Sequence, residues 1–227
     1  MRALVDLLVP PLCDGCDAVA VPPWCSACDE VAQRLRPSPP CPRCAGPDVD
    51  GHACWSPGAP ISGVLAYTRW RDPIARAVVH AKLAGRAEVF RDVAPRLADL
   101  IATVPDVVVP VPTDRRRARQ RGVDHTRVLA RAVAGVLSVP AVRALRVGRS
   151  LPDRGAVAVR DRPGLPPDAV VLASAATTVA GCTVLLVDDL VTTGATLAAC
   201  GAALREAGAV RVDGLVIARA GEHPLGP

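Results

Sequence analysis

The stretch VLLVDDLVTTGAT, residues 184–196, decides the fold of this chain. Four apolar residues run into Asp188 and Asp189, and a threonine-rich turn around Gly194 follows. An apolar run bounded by turn residues reads as a buried strand. The next segment, ATLAACGAALREAG (195–208), reads as a helix closed by Gly208. In open parallel sheets, ligands bind beyond the carboxyl ends of the strands, which is where this turn falls. The first amides of a helix lack internal partners, and the helix dipole adds partial positive charge there. A phosphate fits those amides, with Gly194 allowing close backbone approach, Ala195 opening the helix, and Thr192, Thr193 and Thr196 offering hydroxyls. The turn has no lysine of the Walker type, so it is not an NTPase loop. The two carboxylates suit hydroxyl donors such as a vicinal diol, or a divalent cation. A phosphate at one end and a diol at the other describe a ribose 5-phosphate.

Working outward, apolar runs alternate with helical patterns from about residue 59 onward. VLAYTRW (64–70), DVVVPVP (106–112), TVLLVDD (183–189) and 210–220 read as strands. Helices are expected over 72–85, near 88–103, over 124–138 and over 195–208. The apolar run from Val170 to Val187 contains three threonines, a serine and a glycine, so it reads as strand, turn, strand rather than a membrane span. Alternating strands and helices predict an α/β domain with a mostly parallel sheet flanked by helices. The residues before 59 form a separate segment, giving an expected division into 1–58 and 59–227.

The N-terminal run MRALVDLLVPPLC is too short and too broken by Asp6 and two prolines to read as a signal peptide. The expectation is a cytoplasmic protein. A net charge of +5 admits a polyanionic partner without requiring one. Seven of the nine cysteines lie in the first 54 residues, while Cys182 and Cys200 stand alone in apolar surroundings and are expected in the core. Cys13, Cys16, Cys25 and Cys28 form two C-x-x-C pairs, the pattern of a four-thiolate zinc knuckle. Such a site is structural and folds a segment too small for its own core. A second set starts with Cys41 and Cys44; Cys54 lacks a partner because Pro57 stands at the expected position, and His52 is available as a fourth ligand.

The 184–196 stretch resembles the 5-phosphoribosyl 1-pyrophosphate (PRPP) motif of type I phosphoribosyltransferases. The resemblance implies that Asp188 and Asp189, the expected catalytic pair, bind ribose hydroxyls, and that Thr192, Thr193, Gly194, Ala195 and Thr196 bind the 5-phosphate. VVVPVPTDRRRARQRG (107–122) resembles the family's pyrophosphate-binding strand and loop, with Arg115, Arg121 and, from the helix before it, Lys82 as expected pyrophosphate ligands. It also implies Mg²⁺ on the leaving pyrophosphate. Cysteine knuckles joined to such a domain resemble the ComF family, linked to handling single-stranded DNA during natural transformation. Where that family usually reads Arg-Gly-Phe-Asn-Gln, this chain has Arg121, Gly122, Val123, Asp124 and His125. Arg154 stands where a glutamine is expected.

Two readings follow: a PRPP-dependent transferase with an unidentified acceptor, or a non-catalytic protein binding PRPP, single-stranded DNA or competence partners. Single-strand binding usually relies on aromatic platforms. Only Trp24, Trp55, Trp70, Tyr67 and Phe90 are present, which ranks DNA below PRPP.

Overall fold

The computed structural model describes residues 10–20, 23–38, 40–46, 54, 59–114, 119, 122–148 and 169–220. His52, Trp55, Arg115, Arg121 and Arg154 lie outside the described residues. Among the described residues no helix is long and apolar enough to cross a membrane.

Helix α1 (Ser26–Arg34) grows directly out of the second cysteine pair. Strand β1 (Gly63–Arg69) leads into α2 (Ile74–Leu83). The single helix expected near 88–103 is instead two short ones, α3 (Ala87–Asp92) and α4 (Ala94–Ala98). Pro95, in the first turn of α4, has no N–H to continue the ladder of α3, so the chain restarts there. Strand β2 (Val107–Pro110) precedes α5 (His125–Leu137), whose N-terminus is capped by Asp124 accepting from the Arg127 amide at 3.2 Å. A small antiparallel pair, β3 (Leu145–Val147) and β4 (Val170–Leu172), follows. A 3₁₀ turn over Ser174–Val179 then leads into β5 (Thr183–Val191), α6 (Ala195–Glu206) and β6 (Arg211–Arg219).

The main sheet has the order β1-β6-β5-β2, with every neighbouring pair parallel. The free edge of β2 is covered by 140–142, with the Val108 amide donating to the Pro140 carbonyl at 2.9 Å and the Val142 amide to the Val108 carbonyl at 2.8 Å. A parallel sheet buries both faces, which is why its strands read as near-continuous apolar runs.

Side-chain alternation assigns those runs to two buried clusters. Val184 and Leu186 face one side, together with Val107, Val109, Val64 and Val216. Leu185 and Val187 face the other, together with Val108, Leu215 and Ile217. The second of these faces carries α2 to α5, and the first carries α6.

The cysteine-rich segment packs on both faces. Cys13, Trp24, Cys28 and Ala32 join the α2–α5 side, whereas Cys41, Cys44 and Ala45 join the α6 side. Cys200 is fully buried as expected, while Cys182 is half-buried at the rim of the core rather than inside it.

Candidate active site and metal-binding clusters

Strand β5 runs two residues further than its apolar pattern indicates, pairing with β6 through Val191↔Arg219. Its other neighbour, β2, stops at Pro110↔Val187, with one further bond from the Val111 amide to the Val187 carbonyl at 2.9 Å. Asp188 and Asp189 therefore emerge where β5 has outrun β2, at the carboxyl edge of the sheet.

The period of two sends the neighbouring acids to opposite faces. Asp189 follows Leu185 and Val187 to the α2 side, is buried, and pairs with Lys82 in the last turn of α2. Asp188 points to the α6 side and accepts a hydrogen bond from the Asp189 amide at 2.8 Å. Burial pushes its carboxyl up to about 7, against the opposing pull of the Lys82 charge. The same neighbourhood, mainly through burial and then through Asp188, pushes the Cys200 thiol well above its ordinary value.

Beyond the strand, Gly194 sits at φ 80°, a left-handed conformation that favours glycine, and it occupies the N-cap of α6. No side chain caps this helix; the closest approach is a 3.4 Å contact from the Ala195 amide to Thr193 Oγ1. The opening amides of α6 thus form an anion-accepting end that begins six residues after Asp189. Thr192, Thr193, Ala195 and Thr196 are all half-buried around it.

A second feature was not apparent from the sequence. A cavity of about 300 Å³ opens between the β2 loop and the β3 region, lined in part by Thr113, Asp124, Arg143 and Arg146. Its wall is braced by Thr113 Oγ1 donating to Asp124 Oδ1 at 3.1 Å and by the Thr113–Thr126 hydroxyl pair at 2.7 Å. The signal available in advance was two arginines within an otherwise apolar stretch, AVRALRV (141–147). His125 is an ordinary helix residue, as expected, buried with its ring 4.7 Å from that of Phe90.

The first four cysteines converge. The Sγ atoms of Cys13, Cys16, Cys25 and Cys28 all lie within 4.8 Å of one another, with Cys13–Cys28 at 3.6 Å and Cys16–Cys25 at 3.7 Å. A disulfide would need about 2.05 Å. Sulfurs at the corners of a tetrahedron around zinc, with bonds of about 2.3 Å, stand roughly 3.8 Å apart. The geometry fits a metal ion held by four thiolates. Burial disfavours the Cys13 thiolate, but amide hydrogen bonds from Cys25 at 3.2 Å and Gly15 at 3.4 Å outweigh it and bring the thiol down to about 7.

Cys41, Cys44 and Cys54 form a second, three-thiol cluster on the opposite face, with Cys41–Cys54 at 3.7 Å. This spacing fits the same kind of ion.

Of the aromatic side chains, Trp24, Tyr67 and Phe90 are buried in the core and closed to stacking with bases.

A family model of the phosphoribosyl transferase domain matches residues 87–225, more than half of the chain. The chain belongs to the phosphoribosyl transferase domain family. The match begins after α2, so Lys82 and the cysteine clusters lie outside it. No curated protein matches the chain. Among solved structures, the chain is similar to the allosteric regulatory enzyme of purine biosynthesis at 24% identity and a TM-score of 0.41, over 58% of this chain and 25% of that one. It is similar to the glutamine PRPP amidotransferase from B. subtilis complexed with ADP and GMP at 25% identity and a TM-score of 0.40, over 57% of this chain and 26% of that one. A hypoxanthine phosphoribosyl transferase of Trypanosoma cruzi matches at 19% identity and a TM-score of 0.34, over 63% and 69% of the two chains. The chain thus spans about a quarter of the length of the first two.

Proposed function

We propose that the chain binds PRPP at the carboxyl end of β5 and transfers its phosphoribosyl group to an acceptor with loss of pyrophosphate. The observation that carries this reading is the junction of β5 and α6. Asp188 and Asp189 stand beside an uncapped helix N-terminus entered through a left-handed glycine, within the region matched by the family model. In this reading the 5-phosphate lies on the opening amides of α6 with Thr192, Thr193, Gly194, Ala195 and Thr196 around it. Asp188 and Asp189 accept from the ribose hydroxyls, Asp189 being held in place by Lys82.

Bound Mg²⁺ supplies charge neutralisation of the leaving pyrophosphate. The chain contributes positive charge for the same purpose: Lys82 at the site, Arg143 and Arg146 at the cavity beyond β2, and the arginines at 115–121 that follow it. Positioning and charge stabilisation then carry the reaction more than a general base does. A carboxylate at Asp188 is a stronger acceptor from a hydroxyl than the neutral acid, so PRPP affinity rises as pH passes upward through about 7.

The two cysteine clusters take structural metal, zinc in the first, with Cys41, Cys44 and Cys54 joined by His52 in the second. Their union with this domain supports a ComF-like protein, acting in the cytoplasm, with residues 1–58 as the metal-binding segment. A competence role and single-stranded DNA binding are the secondary reading. The buried Trp24, Tyr67 and Phe90 weigh against a stacking platform for it.

The test is calorimetric titration of the zinc-loaded protein with PRPP and Mg²⁺. Saturable binding that Asp188→Asn/Asp189→Asn abolishes supports the site. A folded, loaded protein that does not bind PRPP sinks it.

A further inference from the structure

The four-thiol knuckle is fastened to the helix that carries Lys82. Gly15, inside the first cysteine pair, lies so close to the start of α2 that an added Cβ would stand 2.9 Å from Pro73 Cβ and 3.1 Å from Cys28 Sγ. Arg76, in the first turn of α2, pairs with Asp17 and donates to the Gly15 carbonyl at 3.4 Å. Arg86, just past the end of α2, folds back to pair with Asp14. Asp14 lies between Cys13 and Gly15, and its side chain is only 2% exposed.

The same loop thus ties to the start of α2 and to the turn that follows its end. The interior faces complete the contact, since Cys13, Trp24 and Cys28 share one buried cluster with Ile74, Ala77, Val78 and Ala81. From this last turn Lys82 reaches Asp189.

We propose that metal in the four-thiol knuckle positions Lys82 against Asp189, with Asp14 and Arg86 as the strap, so that the affinity of the ribose site depends on a metal it never touches. The physical case is a chain of short links anchored on the buried Asp14 side chain. A metal bound by four thiolates fixes the loop that carries Asp14, Gly15 and Asp17. That loop clamps a helix of ten residues whose far end holds the site's cation. Without the clamp, Lys82 and Asp189 lose their fixed geometry, and the ribose hydroxyls meet a mobile pair instead of a preorganised one. Asp14 and Arg86 are positioning residues and touch no ligand.

The inference rests on the PRPP reading, so its tests separate the two. Linkage is reciprocal, so PRPP must strengthen the hold on the metal if the metal strengthens the hold on PRPP. In the intact zinc-loaded protein, release of zinc to a chelator should slow by about fivefold or more when Mg²⁺ and PRPP are saturating. Arg86→Ala, with its zinc still bound, should weaken PRPP by at least about fivefold, and Arg86→Lys should restore most of the loss. Hydrogen exchange supplies a readout that needs no ligand: amides 79–83 should exchange faster in zinc-loaded Arg86→Ala than in the unaltered protein.

Binding of PRPP with unchanged zinc release and unchanged affinity in Arg86→Ala would overturn the coupling and leave the PRPP site standing. Absence of PRPP binding in the loaded protein would remove the PRPP reading, and exchange at 79–83 would then decide the strap alone. Unchanged exchange there overturns it.

Discussion

The two cysteine clusters lie on opposite faces of one parallel sheet and are held to it in different ways. The first has four converging thiols, three inter-element ties through Asp14, Gly15 and Asp17, and a deeper anchor at Asp29. Asp29 accepts from Trp24 Nε1 at 2.8 Å, Tyr67 Oη at 2.7 Å and Arg96 Nε at 2.6 Å, binding α1 to β1 and α4. The second has three thiols among the described residues and meets the sheet by close backbone approach. Gly63 of β1 has room for no Cβ beside the Pro42 carbonyl, which would stand 2.5 Å away, and Gly46 lies against the Arg219 guanidinium. The difference teaches that the first cluster is tied to α2, which carries Lys82 to Asp189, while the second packs on the α6 face of the core.

The comparison breaks most sharply at the thiols. Cys28→Ser should cost about one equivalent of bound zinc and much of the cooperative unfolding transition. Cys54→Ser should leave the first equivalent and the fold in place. Metal analysis and thermal unfolding of both variants check this, and equal damage from the two would erase the distinction.

Next comes the Asp29 anchor. Asp29→Ala leaves the buried Tyr67 hydroxyl and the Arg96 charge without their acceptor, at about 3 kcal/mol by denaturant unfolding. Burial alone would raise the Asp29 carboxyl, but hydrogen bonds from Tyr67 and Trp24, with the Arg96 charge, hold it below its ordinary value. A depressed carboxylate adds stability that is present above its unfolded pKa and lost as pH falls through the folded one. The acid limb of the stability curve, below about pH 4, should therefore flatten in Asp29→Asn.

Asp188 has the opposite sign. Its carboxyl is raised to about 7, so between the unfolded value near 4 and that point the folded state holds the proton more tightly. Asp188 thus withdraws stability as pH rises through this window. Asp188→Asn should be more stable than the unaltered protein at pH 8 and no more stable at pH 4. An unchanged difference between the two pH values would count against a raised Asp188 carboxyl.

The smallest effect is expected at Gly194→Ala, where the left-handed backbone costs about 1–2 kcal/mol. Its unfolding midpoint should drop slightly while its zinc content stays constant.

Much of this was legible in the chain. The apolar run 184–187 and the glycine before Ala195 carry the strand, turn and helix on local grounds alone. The paired cysteines announce the knuckle by spacing. The break in the helix after Asp92 was missed, although Pro95 carries its local signal. The divergence of Asp188 and Asp189 follows from strand alternation, although the doublet reads first as a joint binding pair.

What the sequence does not display are contacts between distant positions: Asp14 with Arg86 across 72 residues, and Asp29 with Arg96 across 67. No local pattern marks them. The partner of Lys82 is hidden for the same reason, since Asp189 is its neighbour only once α2 has packed on the sheet.

The most direct test of the account is a crystal structure of the zinc-loaded protein with Mg²⁺ and PRPP. The account predicts the 5-phosphate on the opening amides of α6, ribose hydroxyls at Asp188 and Asp189, and Lys82 still beside Asp189. A saturating soak that places the ligand elsewhere, or leaves the end of β5 without it, would contradict the account.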